Sequence, residues 1–345
     1  MAPSADVLLA FADGVERTVS VKPGESILDA GIAADLPLLY QCRSGSCSSC
    51  IGRLIEGETR QAAGHTTLLR SEYDAGMRLL CQTQAVGPCR IELGYDSEAG
   101  AVRATKAKAF VDEVERIASN VVRLRLELAD GFWVDFRPGQ FFQISVPGTG
   151  MVRSYSPAST PADLPRLEFL IRLLPGGVMS QWLTDEAKPD DVLDIEGAFG
   201  AFFLREKVRA PHILVAGGTG LAPMLSILDG LRAQSGPKPK TVLSFGCTDP
   251  DALFGLDAIR LREQWMPTLR SRISVDRGAT GSLLAGNPVD SLGPEDVSHP
   301  DTVAYLCGPP RMIEAAFVRL EELGVNPDNI FAEQFVPSEA AGGNP

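Results

Sequence analysis

Four cysteines constrain this chain more than any other feature of its 345 residues. Cys42, Cys47 and Cys50 are spaced as C-x4-C-x2-C, and Cys81 follows at a distance. This is the plant-type spacing of the four thiolates that hold a [2Fe–2S] cluster. A structural zinc site is the alternative, but zinc sites usually present two tight pairs of ligands rather than three ligands in one loop. The spacing therefore favours an iron–sulfur centre.

The remaining cysteines do not indicate a disulfide framework. The total of seven is odd, and the first residues lack a basic region followed by an apolar run, so we expect no secretory signal. Clustered cysteines without such a signal are typical of a reducing compartment, which predicts a cytoplasmic protein. Cys89 lies outside the cluster pattern and is expected to be a small buried residue; the role of Cys247 stays open.

Charge and hydropathy exclude several classes of function. The chain has 32 basic and 44 acidic residues, a net charge of −12. Such a chain is a poor general binder of nucleic acid and of anionic membranes. No run of apolar residues approaches the 18 that a membrane-spanning helix needs. We therefore expect a chain that uses neither nucleic acid nor a membrane as a partner.

The length of the chain and the positions of its small, polar stretches predict three domains. Residues 1–95 begin with two short strands around Asp13-Gly14, which is a hairpin pattern. A helix is expected over Ser26–Ala34, and the cysteine-rich stretch is expected to be a loop. Residues 96–106 are small and polar and predict a linker, and residues 338–345 predict a flexible tail.

The two later domains differ in the pattern of their apolar residues. Residues 107–206 contain short alternating strands, including Val121–Leu128, Phe141–Val146 and Leu167–Arg172, which predict an antiparallel barrel or sandwich. In residues 207–337 apolar runs alternate with helical stretches, and this predicts a parallel sheet of the α/β class. The strands are expected at His212–Ala216, Thr241–Phe245, Arg272–Val275 and Val303–Leu306, and the helices at Ala222–Ala233, Asp251–Glu263 and Pro310–Leu323.

Two motifs of the middle domain form a candidate flavin site. Arg153–Ser156 (Arg-Ser-Tyr-Ser) offers an arginine for a pyrophosphate, a tyrosine to pack on an isoalloxazine ring and a serine for a ring nitrogen. About twenty residues later, Gly176-Gly177 opens a helix whose free N–H groups suit a phosphate. Each motif alone is more typical of an ordinary strand end or an ordinary turn. Their order and spacing together favour a flavin.

The last domain carries a candidate nicotinamide site. Gly217–Pro223 follows a strand and opens a helix, where glycines allow a pyrophosphate to approach the backbone. It is not G-x-G-x-x-G, because Pro223 replaces the third glycine, but proline is tolerated in the first turn of a helix. Cys307-Gly308 ends a later strand, at the edge where such sheets bind ligands. A generic strand–helix turn and a buried cysteine are the alternatives.

Acidic residues after the second strand bear on the choice of cofactor. Asp249 and Asp251 stand where carboxylates bond ribose hydroxyls and repel a 2′-phosphate, and no arginine is adjacent in sequence. This favours NADH over NADPH. The alternative is that Asp249 only caps the next helix.

Together these motifs resemble one family across nearly the whole chain. The sequence is similar to the three-domain NADH-dependent reductases of bacterial aromatic-ring oxygenases, such as the benzoate and naphthalene dioxygenase reductases, within the ferredoxin-NADP reductase superfamily. The end of the chain, Phe331–Phe335 (Phe-Ala-Glu-Gln-Phe), belongs to the same pattern. The resemblance implies a β-grasp [2Fe–2S] domain, a six-stranded FAD barrel and an α/β NAD domain. The choice of FAD over FMN as the flavin is implied only by this resemblance and by no single motif.

The resemblance also implies roles for individual residues. It makes Ser156, Cys307, Glu333 and Phe335 catalytic, with Ser156 near flavin N5 and the last two covering the flavin face. The residues that would contact FAD are Arg153, Ser154, Tyr155, Ser156, Gly177, Val178, Met179 and Ser180. Those that would contact the nicotinamide cofactor are Gly218, Thr219, Gly220, Asp249, Asp251, Cys307 and Gly308. The sequence departs from the family at Ser48, where relatives usually have glycine, and at Ala332, where some have an aromatic residue.

Electron counting gives the order of transfer. NADH delivers two electrons as a hydride, a [2Fe–2S] cluster accepts one at a time, and a flavin can hold two, one or none. The flavin must therefore stand between them. The resemblance implies that the electrons continue to the terminal oxygenase of an aromatic-ring dioxygenase, directly or through a Rieske ferredoxin. The alternatives are a di-iron monooxygenase of the phenol or methane hydroxylase type and a flavin and iron–sulfur redox sensor.

Overall fold

A computed structural model describes residues 4–62, 66–101, 104–205 and 209–335. These residues form two compact units. The first unit comprises the described residues up to Thr105 together with Gly197–Arg205, and the second unit comprises the remaining described residues. The flavin and nicotinamide regions thus share one unit. The predicted tail at 338–345 lies outside the described residues, and no helix within the described ranges is long and apolar enough to cross a membrane.

The first unit is a small α+β fold built on a five-stranded sheet. Its elements are β1 (Ala5–Phe11), β2 (Glu16–Val21), α1 (Ile27–Ala33), β3 (Ile51–Glu56), β4 (Thr59–Gln61), α2 (Arg70–Asp74), β5 (Met77–Leu79), β6 (Thr83–Ala85), β7 (Cys89–Leu93) and α3 (Ser97–Ala101). The sheet order is β2-β1-β7-β3-β5, and β4 pairs with β6. The predicted hairpin of β1 and β2 is confirmed, with Ala10 opposite Glu16. Ser26 caps α1 by accepting a hydrogen bond from Asp29 N at 3.0 Å, which explains why the helix begins there.

The stretch predicted as a linker is not structureless. Ser97–Ala101 forms α3, and Asp13 fastens it by accepting hydrogen bonds from the Ser97 N–H at 3.0 Å and from its hydroxyl at 2.6 Å. A Cβ on Gly100 would lie 1.8 Å from the Pro37 carbonyl oxygen, so the small residues of this stretch permit close packing. The small residues on which the linker prediction rested instead allow α3 to pack closely against the rest of the first unit.

The first half of the second unit is a six-stranded antiparallel barrel. Its elements are β8 (Thr105–Ala118), β9 (Val121–Leu128), β10 (Phe141–Ser145), β11 (Val152–Tyr155), β12 (Arg166–Arg172), α4 (Val178–Asp185) and β13 (Val192–Phe199). The first residue of β8 and the last three residues of β13 are nevertheless grouped with the first unit. The order is β11-β10-β13-β8-β9-β12. A bridge from Pro157 to Phe169 joins the segment after β11 to β12 and closes the barrel. Phe142 fills the interior, with its ring edge against Phe136 and Phe169 at centroid distances of 5.4 and 6.5 Å.

The second half is a parallel α/β sheet, as predicted. Its elements are β14 (His212–Gly217), α5 (Leu221–Ala233), β15 (Thr241–Cys247), α6 (Leu256–Trp265), β16 (Leu269–Val275), β17 (Leu284–Ala285), β18 (Val303–Gly308), α7 (Pro310–Glu322) and β19 (Ile330–Gln334). The order is β17-β16-β15-β14-β18-β19. Because β14 and β18 are buried on both faces, their sequences are continuous apolar runs. The prediction for α6 began about five residues early: Asp249 caps a separate short turn, and Gly255 is left-handed with φ 67°.

Candidate functional site

The four cysteines of the cluster pattern lie in the first unit as two pairs. The Cys47 thiol donates to the sulfur of Cys42 and lowers the pKa of Cys42 to about 4, and Cys50 likewise donates to Cys81 and lowers its pKa. Across the described ranges, no three metal-ligating side chains converge on a single ion position. Four thiols brought together in one small unit, three of them from a single loop, are the donor set that a plant-type [2Fe–2S] cluster uses. The donor set therefore fits a [2Fe–2S] cluster.

Backbone N–H groups of the cysteine loop, Cys42–Cys50, point at these sulfurs. Ser44 and Ser46 donate to Cys42 Sγ at 3.4 and 3.2 Å. The pKa of Cys81 is lowered mainly by the hydrogen bond with Cys50, whereas burial raises it. A backbone hydrogen bond from Gly45 lowers this pKa further. Donors of this kind stabilise thiolate charge and tune an iron–sulfur centre.

Ser48 occupies a backbone conformation that glycine adopts more readily than other residues. Its φ is 52°, in the left-handed region that glycine enters without a Cβ penalty. Its hydroxyl hydrogen-bonds Thr67 Oγ1 at 3.1 Å, and Thr67 in turn donates to the Gly45 carbonyl at 3.1 Å. The serine thus adds a hydrogen-bonded tie across the cysteine loop.

The candidate flavin motif occupies the end of β11 and the residue that follows it, in the second unit. Ser156 is buried, and its hydroxyl finds no hydrogen-bond partner among the described residues. A buried hydroxyl without a partner costs free energy unless a ligand satisfies it. Burial also raises the pKa of the neighbouring Tyr155 hydroxyl. Arg153 is half-buried, with its guanidinium 2.8 Å from the Val152 carbonyl. The unsatisfied Ser156 hydroxyl beside an aromatic ring fits a flavin ring with its heteroatoms.

The Gly176-Gly177 turn opens α4, as the sequence predicts. Gly176 is left-handed with φ 71°, and Gly177 is the N-cap residue directly before α4. The Ser180 hydroxyl accepts a hydrogen bond from Leu174 N at 2.8 Å and so closes this turn. Met179 is buried in the core, which leaves only its backbone for a phosphate. The turn and the first N–H groups of α4 supply the donors that a pyrophosphate needs.

The glycines after β14 and the end of β18 form a tight junction. A Cβ on Gly220 would lie 2.2 Å from the Cys307 carbonyl oxygen, so only glycine permits this approach. Gly218 is left-handed with φ 55° and has open space around it. Thr219 lies between them in a short 3-10 turn that leads into α5. The open backbone at the beginning of a helix, at the carboxyl edge of a parallel sheet, suits a dinucleotide.

Glu333 lies beside Cys307 on adjacent strands. The two residues are opposite each other in the pairing of β18 with β19. Burial raises the pKa of Glu333 to about 8, so the carboxyl is mostly protonated at neutral pH. Its Oε2 has no hydrogen-bond partner within the described residues. Phe335 follows, with its N–H donating to the Gly308 carbonyl at 2.9 Å. This edge therefore offers a thiol and a neutral carboxyl as hydrogen-bonding groups.

Asp249 and Asp251 follow β15 at the same carboxyl edge of the sheet. Asp249 accepts a hydrogen bond from Ala252 N at 3.1 Å, so the capping role is present. It also lies 3.6 Å from the Arg277 guanidinium. Asp251 is exposed. The sequence offered no adjacent arginine, but the fold supplies one from the end of β16; only strand pairing could have revealed Arg277.

Three family models match separate parts of the chain. A 2Fe-2S iron-sulfur cluster binding domain matches residues 10–86, an oxidoreductase FAD-binding domain matches 108–204, and an oxidoreductase NAD-binding domain matches 214–317. These matches and the fold together define an FAD- and NAD-binding oxidoreductase that carries a [2Fe–2S] centre.

Relatives align with nearly the whole chain. The toluate 1,2-dioxygenase electron transfer component of Pseudomonas putida is 31% identical over 95% of this chain and 97% of its own. The propane 2-monooxygenase reductase component of Mycolicibacterium smegmatis is 31% identical over 94% and 95%. Among solved structures, an Amycolatopsis cytochrome P450 reductase has a TM-score of 0.71 at 28% identity, covering 96% of this chain and 100% of its own. The chain belongs to the family of three-domain, ferredoxin-reductase-type electron transfer components.

Proposed function

We propose that this chain oxidises NADH and delivers the electrons, through FAD and its [2Fe–2S] cluster, to the terminal oxygenase of an aromatic-ring dioxygenase. The observation that carries the proposal is the full-length similarity to a dioxygenase electron transfer component, with all three cofactor modules in the same chain. A flavin supplies the conversion between two-electron and one-electron transfer. A single chain with all three modules suits that purpose.

The second unit supplies groups for holding and shielding the flavin. The Ser156 hydroxyl, buried and unsatisfied among the described residues, would hydrogen-bond the ring, and Tyr155 would pack beside it. Glu333, whose pKa burial raises to about 8, would serve as a neutral hydrogen-bond donor. The Cys307 thiol, which is fully buried, would stay protonated, because burial raises its pKa. These residues would exclude water and orient the nicotinamide.

The cysteine loop supplies the exit for electrons. Cys42, Cys47, Cys50 and Cys81 would hold the cluster through their thiolates. Ser44 and Ser46 would keep their N–H groups on Cys42 Sγ. Several residues of this loop are exposed, so a one-electron acceptor can approach it from solvent.

Replacement of one cluster ligand separates the two halves of the reaction. We expect Cys50→Ser to abolish most NADH-driven reduction of cytochrome c, because that acceptor takes electrons from the cluster. Reduction of ferricyanide should persist, since this small acceptor takes electrons from the flavin. Cys89→Ser is the matched control, because Cys89 is buried in β7 outside the cysteine loop and should keep both activities. Equal loss of both activities in Cys50→Ser would contradict the proposed electron order.

The partner is tested by reconstitution. We expect NADH-dependent turnover when the chain is mixed with a purified aromatic-ring dioxygenase, with or without a Rieske ferredoxin. A second candidate is a monooxygenase partner, favoured by the equal identity to a propane 2-monooxygenase reductase and by the likeness to a cytochrome P450 reductase. Turnover with a di-iron or P450 oxygenase alone would favour that second candidate. Slow transfer to every acceptor, with intact cofactor spectra, would instead indicate a redox sensor.

A further inference from the structure

One peptide group of the cysteine loop connects a proposed cluster ligand to a threonine outside the loop. At one end of this group, the Ser46 N–H donates to Cys42 Sγ at 3.2 Å. At the other end, the Gly45 carbonyl accepts two hydrogen bonds from Thr67, one from its backbone N–H at 2.9 Å and one from its hydroxyl at 3.1 Å. Thr67 is therefore linked to the Cys42 sulfur through a single peptide group.

The two donors of Thr67 can be separated by substitution. The backbone N–H is present whatever side chain stands at this position, so it can hold the Gly45 carbonyl in place in any variant. The hydroxyl adds a second donor to the same oxygen. Both Thr67 and Gly45 are buried, so water competes little for these bonds and their electrostatic effect is strong. The hydroxyl can therefore change the charge distribution of the peptide group without being needed to anchor the loop.

The Ser48 hydroxyl extends this series of hydrogen bonds. A carbonyl can only accept, so the proton of the Thr67 hydroxyl points at the Gly45 oxygen. The Ser48 hydroxyl, 3.1 Å from Thr67 Oγ1, is then the donor to the threonine. The donors run in one direction, from the serine through the threonine to the peptide group, and end at Cys42 Sγ. Hydrogen bonds in such a series polarise one another, and each strengthens the next.

We propose that Thr67 is a positioning residue that raises the reduction potential of the cluster: its hydroxyl polarises the Gly45–Ser46 peptide group and so strengthens the N–H donor on Cys42 Sγ. Reduction adds one electron and no atom, so the cluster and its four thiolates gain one unit of negative charge. A stronger donor stabilises the reduced state more than the oxidised state, and the potential rises. This inference rests on the proposed ligand set Cys42, Cys47, Cys50 and Cys81.

The test is a redox titration of the full-length chain with dithionite, followed by the electron paramagnetic resonance signal of the reduced cluster. At a fixed potential we expect Thr67→Val to lower the ratio of reduced to oxidised cluster by about threefold, because one charge-assisted hydrogen bond loses its cooperative strengthening. For a one-electron couple this corresponds to about 28 mV. Valine has nearly the shape of threonine and keeps the backbone N–H. Thr67→Ser keeps the hydroxyl and should stay close to the wild-type ratio.

Thr66→Val is the matched control, since it removes a hydroxyl from the adjacent position. The Thr66 hydroxyl accepts a hydrogen bond from Leu68 N at 3.1 Å, within its own segment. Its loss should leave the ratio of reduced to oxidised cluster as in the wild type. An unchanged ratio in Thr67→Val would overturn the proposal, as would an equal shift in Thr67→Ser or in Thr66→Val.

The outcomes also separate tuning from assembly. If Thr67→Val fails to assemble a cluster, Thr67→Ala provides a second variant without the hydroxyl, in which we expect the same fall in the ratio. Loss of the cluster in both variants would make the hydroxyl structural and overturn the proposal. A failure of the ligand set is seen separately, as a missing cluster spectrum in the wild type or an intact one in Cys50→Ser.

Discussion

At the scale of single residues, Asp249 has two interactions that a substitution can separate: a helical-turn cap and an ion pair with Arg277. Its carboxylate caps the short turn at Ala252 N and also faces Arg277 at 3.6 Å. If the ribose binds beside Asp249, as the sequence predicts, the carboxylate would repel the 2′-phosphate of NADPH and the arginine would attract it. Asn can cap a helical turn as well as Asp. Asp249→Asn should therefore keep the fold, remove the repulsion and release Arg277.

We expect Asp249→Asn to raise kcat/KM for NADPH relative to NADH by roughly tenfold, the effect of one charge close to a phosphate. Steady-state rates with both cofactors and ferricyanide as acceptor measure the ratio. Asp251→Asn is the matched control, because Asp251 is exposed and its neutralisation should have a smaller effect. An unchanged ratio in Asp249→Asn would show that the preference is set elsewhere.

The cysteine loop shows what single residues reveal from sequence. The spacing of the four cysteines predicts two irons, because thiolate chemistry depends on residue type and spacing. The departure at Ser48 was also visible, but its physical reason was not: φ 52° and the bond to Thr67 depend on the folded loop. Arg277 was missed altogether, since it reaches Asp249 only through tertiary packing.

At the scale of elements, β14 carries a buried titratable group. His212, the first residue of the strand, is 1% exposed, and its ring is parallel to that of Tyr305 at a centroid distance of 6.1 Å. Burial lowers the pKa of His212 from 6.5 to about 4. The unfolded chain therefore binds a proton more tightly than the folded one, and the second unit loses stability as the pH falls from about 6.5 to about 4.

We expect His212→Gln to remove a slope of about 1.4 kcal/mol per pH unit from the free energy of unfolding within that window. Urea unfolding followed by tryptophan fluorescence, at several pH values between 4.5 and 7.5, measures the slope. The slope is informative even if the variant is less stable at every pH. His299→Gln replaces an exposed histidine and should leave the slope as in the wild type; the same slope in all three proteins would contradict the expectation.

Periodicity predicted most elements well and their ends less well. The alternation in β9 and the apolar runs of β14 and β18 reflect burial on one or two faces, which sequence records directly. The beginning of α6 depends on a left-handed Gly255, and the packing of α3 depends on the contact of Gly100 with Pro37. Both are tertiary features. Glycine and other small residues are compatible with several local conformations, and tertiary contacts determine which of these conformations forms.

At the scale of the whole molecule, the two units should unfold as separately observable transitions. Chains with more than one compact unit commonly depart from two-state behaviour. All three tryptophans, Trp133, Trp182 and Trp265, lie in the second unit, whereas the cluster ligands proposed here lie in the first. Tryptophan fluorescence therefore reports the second unit, and the visible absorbance of the cluster reports the first.

This separation allows a test of the assignment of Gly197–Arg205 to the first unit. Phe203→Ala should lower the stability of the unit reported by cluster absorbance by about 3–5 kcal/mol, because it removes a fully buried ring. The transition reported by tryptophan fluorescence should stay where it is. Phe245→Ala, which removes an equally buried ring from β15, should do the reverse. If Phe203→Ala instead moved the tryptophan transition and spared the cluster absorbance, the segment would belong energetically to the second unit, and its assignment to the first unit would be wrong.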